Sequence, residues 1–278
     1  MSGENMIDRI IKEKSRLTKE EWREYTKSIW SIKDVRSKLH PAPFPEEIPY
    51  RLIKMFTFVG ETVLDPFAGI GTTMIAARKL QRNSISIDIN PKYVEIIKKQ
   101  IAQQTLVDDN TKHEVYCRDS RDLSFIKDNS IDLVVTSPPY WNKVKYCEED
   151  PKMQDLGNIE DYEIFVREVL KVFRECYRVL KPGRRLCVVT ANVHGQTKNG
   201  LVRYPLASDY IIGCRKLGFS LVGEVIWSKE GTGSPWGASG DKRPIFGSYP
   251  YPPNFLFFNL HEYILIFRKD PRKNKEED

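Results

Sequence analysis

The chain has 278 residues, 40% of them hydrophobic and 29% charged, which is enough for one globular domain with a small appendage. The net charge of +6 permits a nucleic-acid partner, but 38 acidic residues dilute the excess, so charge alone does not establish one. The five cysteines are scattered and form no Cys-x-x-Cys pair, which argues against a disulfide framework and a thiolate zinc site, and we predict no metal site. The chain starts with charged residues, and no apolar run approaches the roughly 18 residues of a membrane span, so we expect a cytoplasmic protein without a membrane contact.

The first segment, residues 1–39, is predicted to be an N-terminal helical arm. Residues 18–21 have the form of a capping box that opens a helix. Such an arm could cover the body, contact a partner or touch DNA. The following proline-dense segment, residues 40–49, must be extended before a helix that begins near Glu46 or Ile48. It carries Phe44, which could wall a ligand pocket or lie in a plain linker.

A strand at residues 61–65 is predicted to run into a glycine turn and then into a helix that ends near Leu80. Glycines let the backbone approach a ligand closely, and the start of the helix offers unpaired N–H groups. A dinucleotide site is the competing interpretation, but Met74 stands where its third glycine would be. The Asp65 carboxylate before the turn suits a cationic ligand group better than a pyrophosphate.

Two further acids follow predicted strands. Asp88 ends a strand about 20 residues past the glycine turn, where nucleoside sites of βαβ units place a carboxylate on the ribose hydroxyls. Asp119 follows the strand at residues 113–117. One such acid is usually a helix cap or a turn former, but together with Asp65 they mark three strand ends and favour a nucleoside site.

The strand at residues 131–135 leads into the segment Thr136-Ser137-Pro138-Pro139-Tyr140-Trp141. Consecutive prolines remove two backbone donors and leave neighbouring carbonyls free as acceptors. Rigid acceptors, a hydroxyl and an aromatic face suit the exocyclic amino group of a flat base that stacks on Tyr140. A simple strand-ending turn would have a similar composition. The predicted nucleoside site beside it favours the functional interpretation.

The remaining elements complete an α/β pattern. Helices are predicted at residues 160–180 and 204–217, and strands at 185–190, 219–227 and 262–268. Alternating strands and helices indicate a seven-stranded, mostly parallel sheet with a late antiparallel strand pair. We assign residues 40–270 to this catalytic domain and residues 271–278 to a charged tail.

The long segment at residues 228–260 is predicted to be an inserted target-recognition loop. Loops of this length without secondary structure are more often functional than idle. Its aromatic and basic residues could grip nucleic acid, or the aromatics could fold the loop on itself. The candidate DNA contacts here and near the proline segment are Trp141, Lys143, Lys145, Trp236, Lys242 and Arg243.

Together these motifs resemble those of the S-adenosylmethionine-dependent amino-methyltransferases that act on DNA. Residues 65–72 resemble the cofactor motif of that family, residues 136–140 its catalytic motif, and residues 40–45 the segment that precedes the cofactor motif. The resemblance implies a Rossmann-like methyltransferase fold, S-adenosyl-L-methionine as cofactor and double-stranded DNA as partner. It also implies a monomer or homodimer that a separately encoded restriction endonuclease could accompany.

The resemblance further implies roles for individual residues. Asp88 would bind the ribose hydroxyls, Asp119 the adenine amino group, and Phe44 would wall the methionine end. The Ser137 hydroxyl and the Pro138 carbonyl would accept the protons of the target amino group. The implied cofactor residues are Phe44, Asp65, Pro66, Phe67, Gly69, Gly71, Thr72, Asp88 and Asp119, and the implied catalytic residues are Ser137, Pro138, Pro139 and Tyr140.

The serine that opens the Pro-Pro-Tyr motif resembles the cytosine-N4 branch more than the adenine-N6 branch, whose members often begin with Asp or Asn. The cofactor motif here precedes the catalytic motif, opposite to the common order in the serine branch, which looks like circular permutation. Cytosine-C5 transfer would need a thiolate that its family places after a proline, and the chain has no Pro-Cys dipeptide. We therefore expect a cytosine-N4 DNA methyltransferase of a restriction-modification system. The alternatives are an adenine-N6 enzyme, an RNA or protein-amide methyltransferase, and a catalytically silent nucleic-acid-binding module.

Overall fold

The computed structural model describes residues 6–35, 44–103, 111–141, 155–198, 200–230, 250–253, 255, 257 and 259–271. Within these ranges the helices are α1 Met6–Lys14, α2 Lys19–Tyr25, α3 Glu47–Phe56, α4 Thr72–Lys79, α5 Pro91–Gln103, α6 Tyr162–Val179 and α7 Leu206–Lys216. The strands are β1 Ile29–Ser31, β2 Thr62–Asp65, β3 Asn83–Asp88, β4 His113–Cys117, β5 Ile131–Thr136, β6 Leu180–Thr190, β7 Val193–Thr197, β8 Gly200–Tyr204, β9 Phe219–Ser228 and β10 His261–Lys269.

The central sheet has eight strands in the order β1-β9-β10-β6-β5-β2-β3-β4. Neighbours from β6 to β4 are parallel, whereas β10 is antiparallel to both β6 and β9. The predicted α/β fold with a mostly parallel sheet and a late antiparallel strand pair is therefore confirmed. Strands β7 and β8, which the sequence did not predict, form a separate antiparallel hairpin.

The eighth strand, β1, comes from the segment predicted to be a helical arm. It pairs in parallel with β9, with Ile29 opposite Ile226, and the side chain of Trp30 is only 1% exposed. A strand of three residues is too short to show an alternating pattern in the sequence. It forms here because β9 offers an open edge with which it can pair. Residues 29–31 thus belong to the sheet, while α2 upstream does begin with the predicted capping box at Thr18.

Both faces of the sheet are covered by apolar helix surfaces. In β5, Leu133 and Val135 face the cluster that contains α3 and α4, whereas Val134 faces the cluster that contains α6 and α7. Side chains of a strand alternate between faces, so a strand buried on both sides reads as a continuous apolar run. On α6, the residues Phe165, Val169, Phe173 and Cys176 recur at helical spacing and are all fully buried. None of the helices that the structure describes is long and apolar enough to cross a membrane.

The end of α6 is anchored by Lys269, the last residue of β10. Its side chain is buried, and its ammonium donates to the carbonyls of Tyr177 and Leu180, each at 2.7 Å, and to Oδ1 of Asn129 at 2.8 Å. The last carbonyls of a helix have no intrahelical partner and carry partial negative charge, which favours a cation there. Lys269 therefore joins the sheet to the C-terminal end of its longest covering helix.

We predict that Lys269→Met lowers the free energy of unfolding by about 2–4 kcal/mol, because methionine fills the space but leaves buried acceptors unpaired. Urea denaturation followed by circular dichroism measures this change. The matched control is Lys171→Met on α6, where the lysine side chain is 48% exposed and forms a surface ion pair with Glu168. That control should change stability by less than about 1 kcal/mol. Equal effects of the two substitutions would contradict the anchoring role.

Candidate active site

The candidate site lies at the carboxyl ends of the parallel strands. Strand β2 lies between β5 and β3, and β3 is followed in the sheet by β4. The chain therefore moves outward from β2 through β3 to β4 and then returns to β5 on the other side of β2. Such a reversal of strand order opens a crevice where α/β sheets bind ligands. The glycine turn after β2 and the Ser-Pro-Pro-Tyr segment after β5 meet at this crevice.

Asp65, at the end of β2, connects these two segments. Its Oδ1 accepts from the Phe67 amide at 3.0 Å and from Oγ1 of Thr136 at 2.8 Å, and its Oδ2 accepts from Oγ1 of Thr73 at 2.6 Å. Burial raises the pKa of Asp65 to about 6, although all three hydrogen bonds favour the carboxylate. The side chain is 2% exposed, so the carboxylate points into the protein. We therefore give Asp65 a positioning role in place of the predicted contact with a cationic ligand group.

The turn after Asp65 is held by β3 and by the loop that follows β4. Gly69 and Gly71 have φ angles of 50° and 87°, in the left-handed region that favours glycine. The amide of Gly69 donates to Oδ2 of Asp88 at 2.8 Å, and the carbonyl of Pro66 accepts from Oγ of Ser120 at 2.6 Å. A Cβ on Gly71 would lie 2.9 Å from Cγ1 of Ile97, so this position also allows close helix packing.

Two other predicted cofactor residues flank the turn. Phe67 is half-buried and packs against the cluster of α6 and α7, and Thr72 is half-buried as the first residue of α4. Phe44 lies instead against the cluster of α3 and α4. The first part of its segment, residues 40–43, lies outside the described residues.

Asp88 is the acid best placed to contact a ligand. Its Oδ1 accepts from the Asn90 amide and its Oδ2 from the Gly69 amide, both at 2.8 Å, while the side chain stays partly exposed at the crevice. Desolvation raises the pKa of Asp88 to about 7, and the two amides only partly oppose it. Each carboxylate oxygen retains acceptor capacity beyond its one amide. These two acceptor oxygens fit a nucleoside whose neighbouring ribose hydroxyls both donate.

Asp119 lies beyond Asp88 along the same edge and is paired within the protein. Its Oδ1 accepts from the backbone amide of Arg121 at 2.9 Å, and the Arg121 guanidinium also bonds Asp119 and reaches Glu168 at 2.8 Å. The Asp119 side chain is 37% exposed. A ligand amino group would therefore share this carboxylate with Arg121. Within the described ranges, no cluster of His, Cys, Asp and Glu side chains could hold a metal ion.

The Ser-Pro-Pro-Tyr segment presents two hydroxyl groups beside the crevice. Ser137 and Tyr140 are half-buried, whereas Pro138 and Pro139 are buried. Oγ of Ser137 donates to Oη of Tyr140 at 3.4 Å, and Oη of Tyr140 donates to Oε2 of Glu262 at 2.6 Å. Because the preceding Thr136 is bonded to Asp65, this segment is fixed directly against the glycine turn.

The structure buries the side chain of Trp141, one of the predicted DNA contacts. The side chain is 7% exposed, its Nε1 donates to the Glu160 carbonyl at 3.1 Å, and its ring lies 4.8 Å from that of Tyr204 and 5.4 Å from that of Tyr162. These aromatic neighbours come from β8 and α6, so the indole is part of the core. The other predicted DNA contacts, Lys143, Lys145, Trp236, Lys242 and Arg243, lie outside the described residues, as does most of the 228–260 loop.

Sequence reasoning missed three charged residues behind Tyr140. Glu262 accepts from Nζ of Lys229 at 2.5 Å, and Lys229 also lies 3.3 Å from Oδ2 of Asp34. Burial disfavours the charged ammonium, but Glu262 and Asp34 outweigh it and raise the pKa of Lys229. The three residues belong to β10, to the turn after β9 and to the segment after β1. No local sequence pattern predicts that these three residues meet, although Glu262 is the first residue of a predicted strand.

Comparison with known proteins places this site in a family. The family model described as DNA methylase matches residues 4–99 and 131–278, and a second model, for RNA cap guanine-N2 methyltransferases, matches residues 60–181. The Type II methyltransferase M.MjaI of Methanocaldococcus jannaschii is 46% identical over 195 residues, which cover 62% of this chain and 61% of the relative. M.MthZI of Methanothermobacter thermautotrophicus is 32% identical over 182 residues, covering 60% and 48%. The chain thus spans about half to three fifths of the length of these relatives.

A solved S-adenosylmethionine-dependent methyltransferase from Methanosarcina mazei shares the fold, with a TM-score of 0.51 and 13% identity over 79% of this chain and 97% of that one. The order of strands and the crevice at the switch point fit this architecture. The family model covers most of the sequence, including the glycine turn and the Ser-Pro-Pro-Tyr segment. The chain therefore belongs to the DNA methylase family, the S-adenosyl-L-methionine-dependent amino-methyltransferases of the N4/N6 type.

Proposed function

We propose that the protein is a site-specific DNA methyltransferase that transfers a methyl group from S-adenosyl-L-methionine to the exocyclic N4 of a flipped-out cytosine. The observation that carries this proposal is the 2.8 Å hydrogen bond between Asp65 and Thr136. It holds a turn suited to a nucleoside cofactor beside an acceptor-rich segment suited to a planar amine. A methyl donor and a base bound on either side of this contact would face each other across the crevice.

The residues present fit the cofactor at the level of their chemistry. Asp88 would accept the two ribose hydroxyls, Phe67 and Gly69 would line the cofactor, and Asp119 would accept from the adenine amino group. Gly71 and Thr72 would bring the start of α4 close to the cofactor. The first backbone N–H groups of a helix have no partner within that helix and could donate to the cofactor. The cofactor supplies a methyl group on a positively charged sulfur, which a nitrogen lone pair can attack.

The exocyclic nitrogen of a base is a poor nucleophile because its lone pair is delocalised into the ring. The Ser137 hydroxyl and the Pro138 carbonyl would accept its two protons and turn the lone pair towards the methyl group. Ser137 already donates its own hydrogen to Tyr140, which leaves the lone pairs of Oγ to accept. Tyr140 would stack on the base. Catalysis would then follow from positioning and preorganised acceptors rather than from a covalent enzyme intermediate.

Cytosine is the proposed base because the catalytic segment begins with serine, as in the cytosine-N4 branch. The two relatives carry the name Type II methyltransferase, which supports a place in a restriction-modification system with double-stranded DNA as substrate and a separate restriction endonuclease. Adenine-N6 transfer would use the same fold and the same donor, so the product must identify the base.

The deciding experiment incubates the protein with isotopically labelled S-adenosyl-L-methionine and, in separate reactions, with DNA of mixed sequence, RNA and total protein. Mass spectrometry of the digested DNA should detect N4-methylcytosine, and sequencing should then locate it within one recognition sequence. N6-methyladenine would overturn the choice of base. Label only in RNA or protein would overturn the choice of polymer, and label in none would support a silent binding module.

The proposed roles predict that substitutions separate binding from transfer. Ser137→Ala and Tyr140→Ala should lower the rate of methyl transfer by about 10²-fold or more, because they remove acceptors and stacking from the base side only. Isothermal titration should show nearly unchanged cofactor affinity in both. Asp88→Ala should do the reverse and weaken cofactor binding by at least about tenfold, since it removes two hydrogen bonds to the ribose. Equal loss of cofactor affinity in all three variants would refute the assignment.

Cofactor affinity should depend on pH through Asp88. With its pKa raised to about 7, this carboxyl loses acceptor capacity as the pH falls through 7. The dissociation constant for S-adenosyl-L-methionine should therefore be about tenfold larger near pH 6 than near pH 8. Titration calorimetry at both values measures it, with thermal melting as a check on folding. Asp88→Asn should bind weakly with little pH dependence, and a wild-type constant that is equal at both values would exclude this role.

A further inference from the structure

A chain of polar contacts runs from the catalytic segment into the far half of the sheet. It passes from Ser137 to Tyr140 at 3.4 Å, from Tyr140 to Glu262 at 2.6 Å, and from Glu262 to Lys229 at 2.5 Å. Lys229 then contacts Asp34 at 3.3 Å. These contacts thus link the end of β5 to the start of β10 and to the segments that follow β9 and β1.

The hydrogen bonds in this chain share one direction. The Ser137 hydroxyl donates to Tyr140, and the Tyr140 hydroxyl donates to the carboxylate of Glu262. Once the 3.4 Å contact between Ser137 and Tyr140 shortens to ordinary hydrogen-bond length, a proton that arrives at the oxygen of Ser137 can move on by a shift along each hydroxyl, without rotation of either side chain. The direction leads away from the crevice and ends on Glu262, which has no hydrogen of its own to pass on while it is ionised.

Glu262 shares its ammonium partner, Lys229, with a second carboxylate, that of Asp34. Lys229 and Glu262 have side chains that are 12% exposed, and the Asp34 side chain is 16% exposed. When all three are ionised, two carboxylates share one ammonium, so the group carries a net charge of −1. Protonation of Glu262 makes the group neutral and still leaves Lys229 paired with Asp34.

We propose that Glu262 accepts the proton that the target amino group must lose, acting through Tyr140 and Ser137. This inference rests on the proposed amino-methyl transfer. As the nitrogen–carbon bond forms and the carbon–sulfur bond of the donor breaks, the nitrogen becomes positive and gives one proton to Oγ of Ser137. Ser137 passes its original hydrogen to Tyr140, and Tyr140 passes its own to Oε2 of Glu262. Both hydroxyls are restored, the methylated base leaves neutral, and Glu262 later returns its proton to solvent.

The test compares Glu262→Gln, Tyr140→Phe and the double variant in single-turnover methyl transfer to cognate DNA. Tyr140→Phe keeps the ring for stacking but breaks the relay. Each single variant should slow transfer by about 10²-fold, the usual contribution of a positioned proton acceptor. The double variant should be no slower than the slower single variant, because both changes break the same chain. Wild-type transfer should also slow in deuterium oxide, and both variants should lose that effect.

Binding measurements distinguish proton transfer from a structural role. Cofactor affinity, DNA affinity and the fluorescence of a 2-aminopurine at the target position should stay within about twofold of wild type in Glu262→Gln. The control is Glu224→Gln, which changes an exposed carboxylate on the neighbouring β9 and should leave the transfer rate unchanged. A structural role would instead weaken binding or lower the melting temperature together with the rate.

Several results would overturn the proposal: a wild-type transfer rate in Glu262→Gln, multiplying losses in the double variant, or losses explained by weakened binding. If Glu262→Gln does not fold, the wild-type isotope effect and its loss in Tyr140→Phe decide the question. A wild-type protein that methylates no DNA would refute the proposed function itself. Wild-type methylation with an unaffected Glu262→Gln would refute the relay alone.

Discussion

The candidate active site depends on one buried carboxylate, Asp65, which is hydrogen-bonded to Thr136, 71 residues further along the chain. The Asp65 side chain is 2% exposed, so folding removes the water around its carboxylate. Three hydrogen bonds from protein donors offset this desolvation cost. One donor comes from the glycine turn, one from the start of α4 and one from the end of β5. Because these donors lie on different segments, their hydrogen bonds to Asp65 tie the glycine turn to the Ser-Pro-Pro-Tyr segment. A group-transfer reaction that depends on the alignment of its two reactants needs their binding segments held at a fixed distance from each other.

Acids at equivalent strand ends take on different roles because their surroundings differ. Asp65 is surrounded by hydroxyl and amide donors inside the protein, whereas Asp88 has an amide on each oxygen and one open side. Asp119 is held by Arg121, which lowers its availability to a ligand. All three acids lie at the crevice, but burial and neighbouring donors decide which of them can contact a bound molecule.

The Ser-Pro-Pro-Tyr segment is supported from two directions. On the cofactor side it is bonded to Asp65, and on the other side Tyr140 is bonded to Glu262. The second support comes from the antiparallel strands at the other end of the sheet. Because β10 lies between β6 and β9, its first residues reach the carboxyl end of the parallel strands. The late antiparallel pair therefore completes the site as well as the fold.

The sequence by itself determined the features that depend on neighbouring residues: apolar strands, the glycine turn, the capping box at Thr18 and the two motifs that mark the family. Only the tertiary structure decided what distant segments do to one another. Strand β1 exists because β9 offers an edge, and Trp141 is buried because Tyr162 and Tyr204 surround it. Lys229 meets Asp34 across 195 residues of chain, and no local pattern encodes that contact, since its energy arises only when folding removes both charges from water.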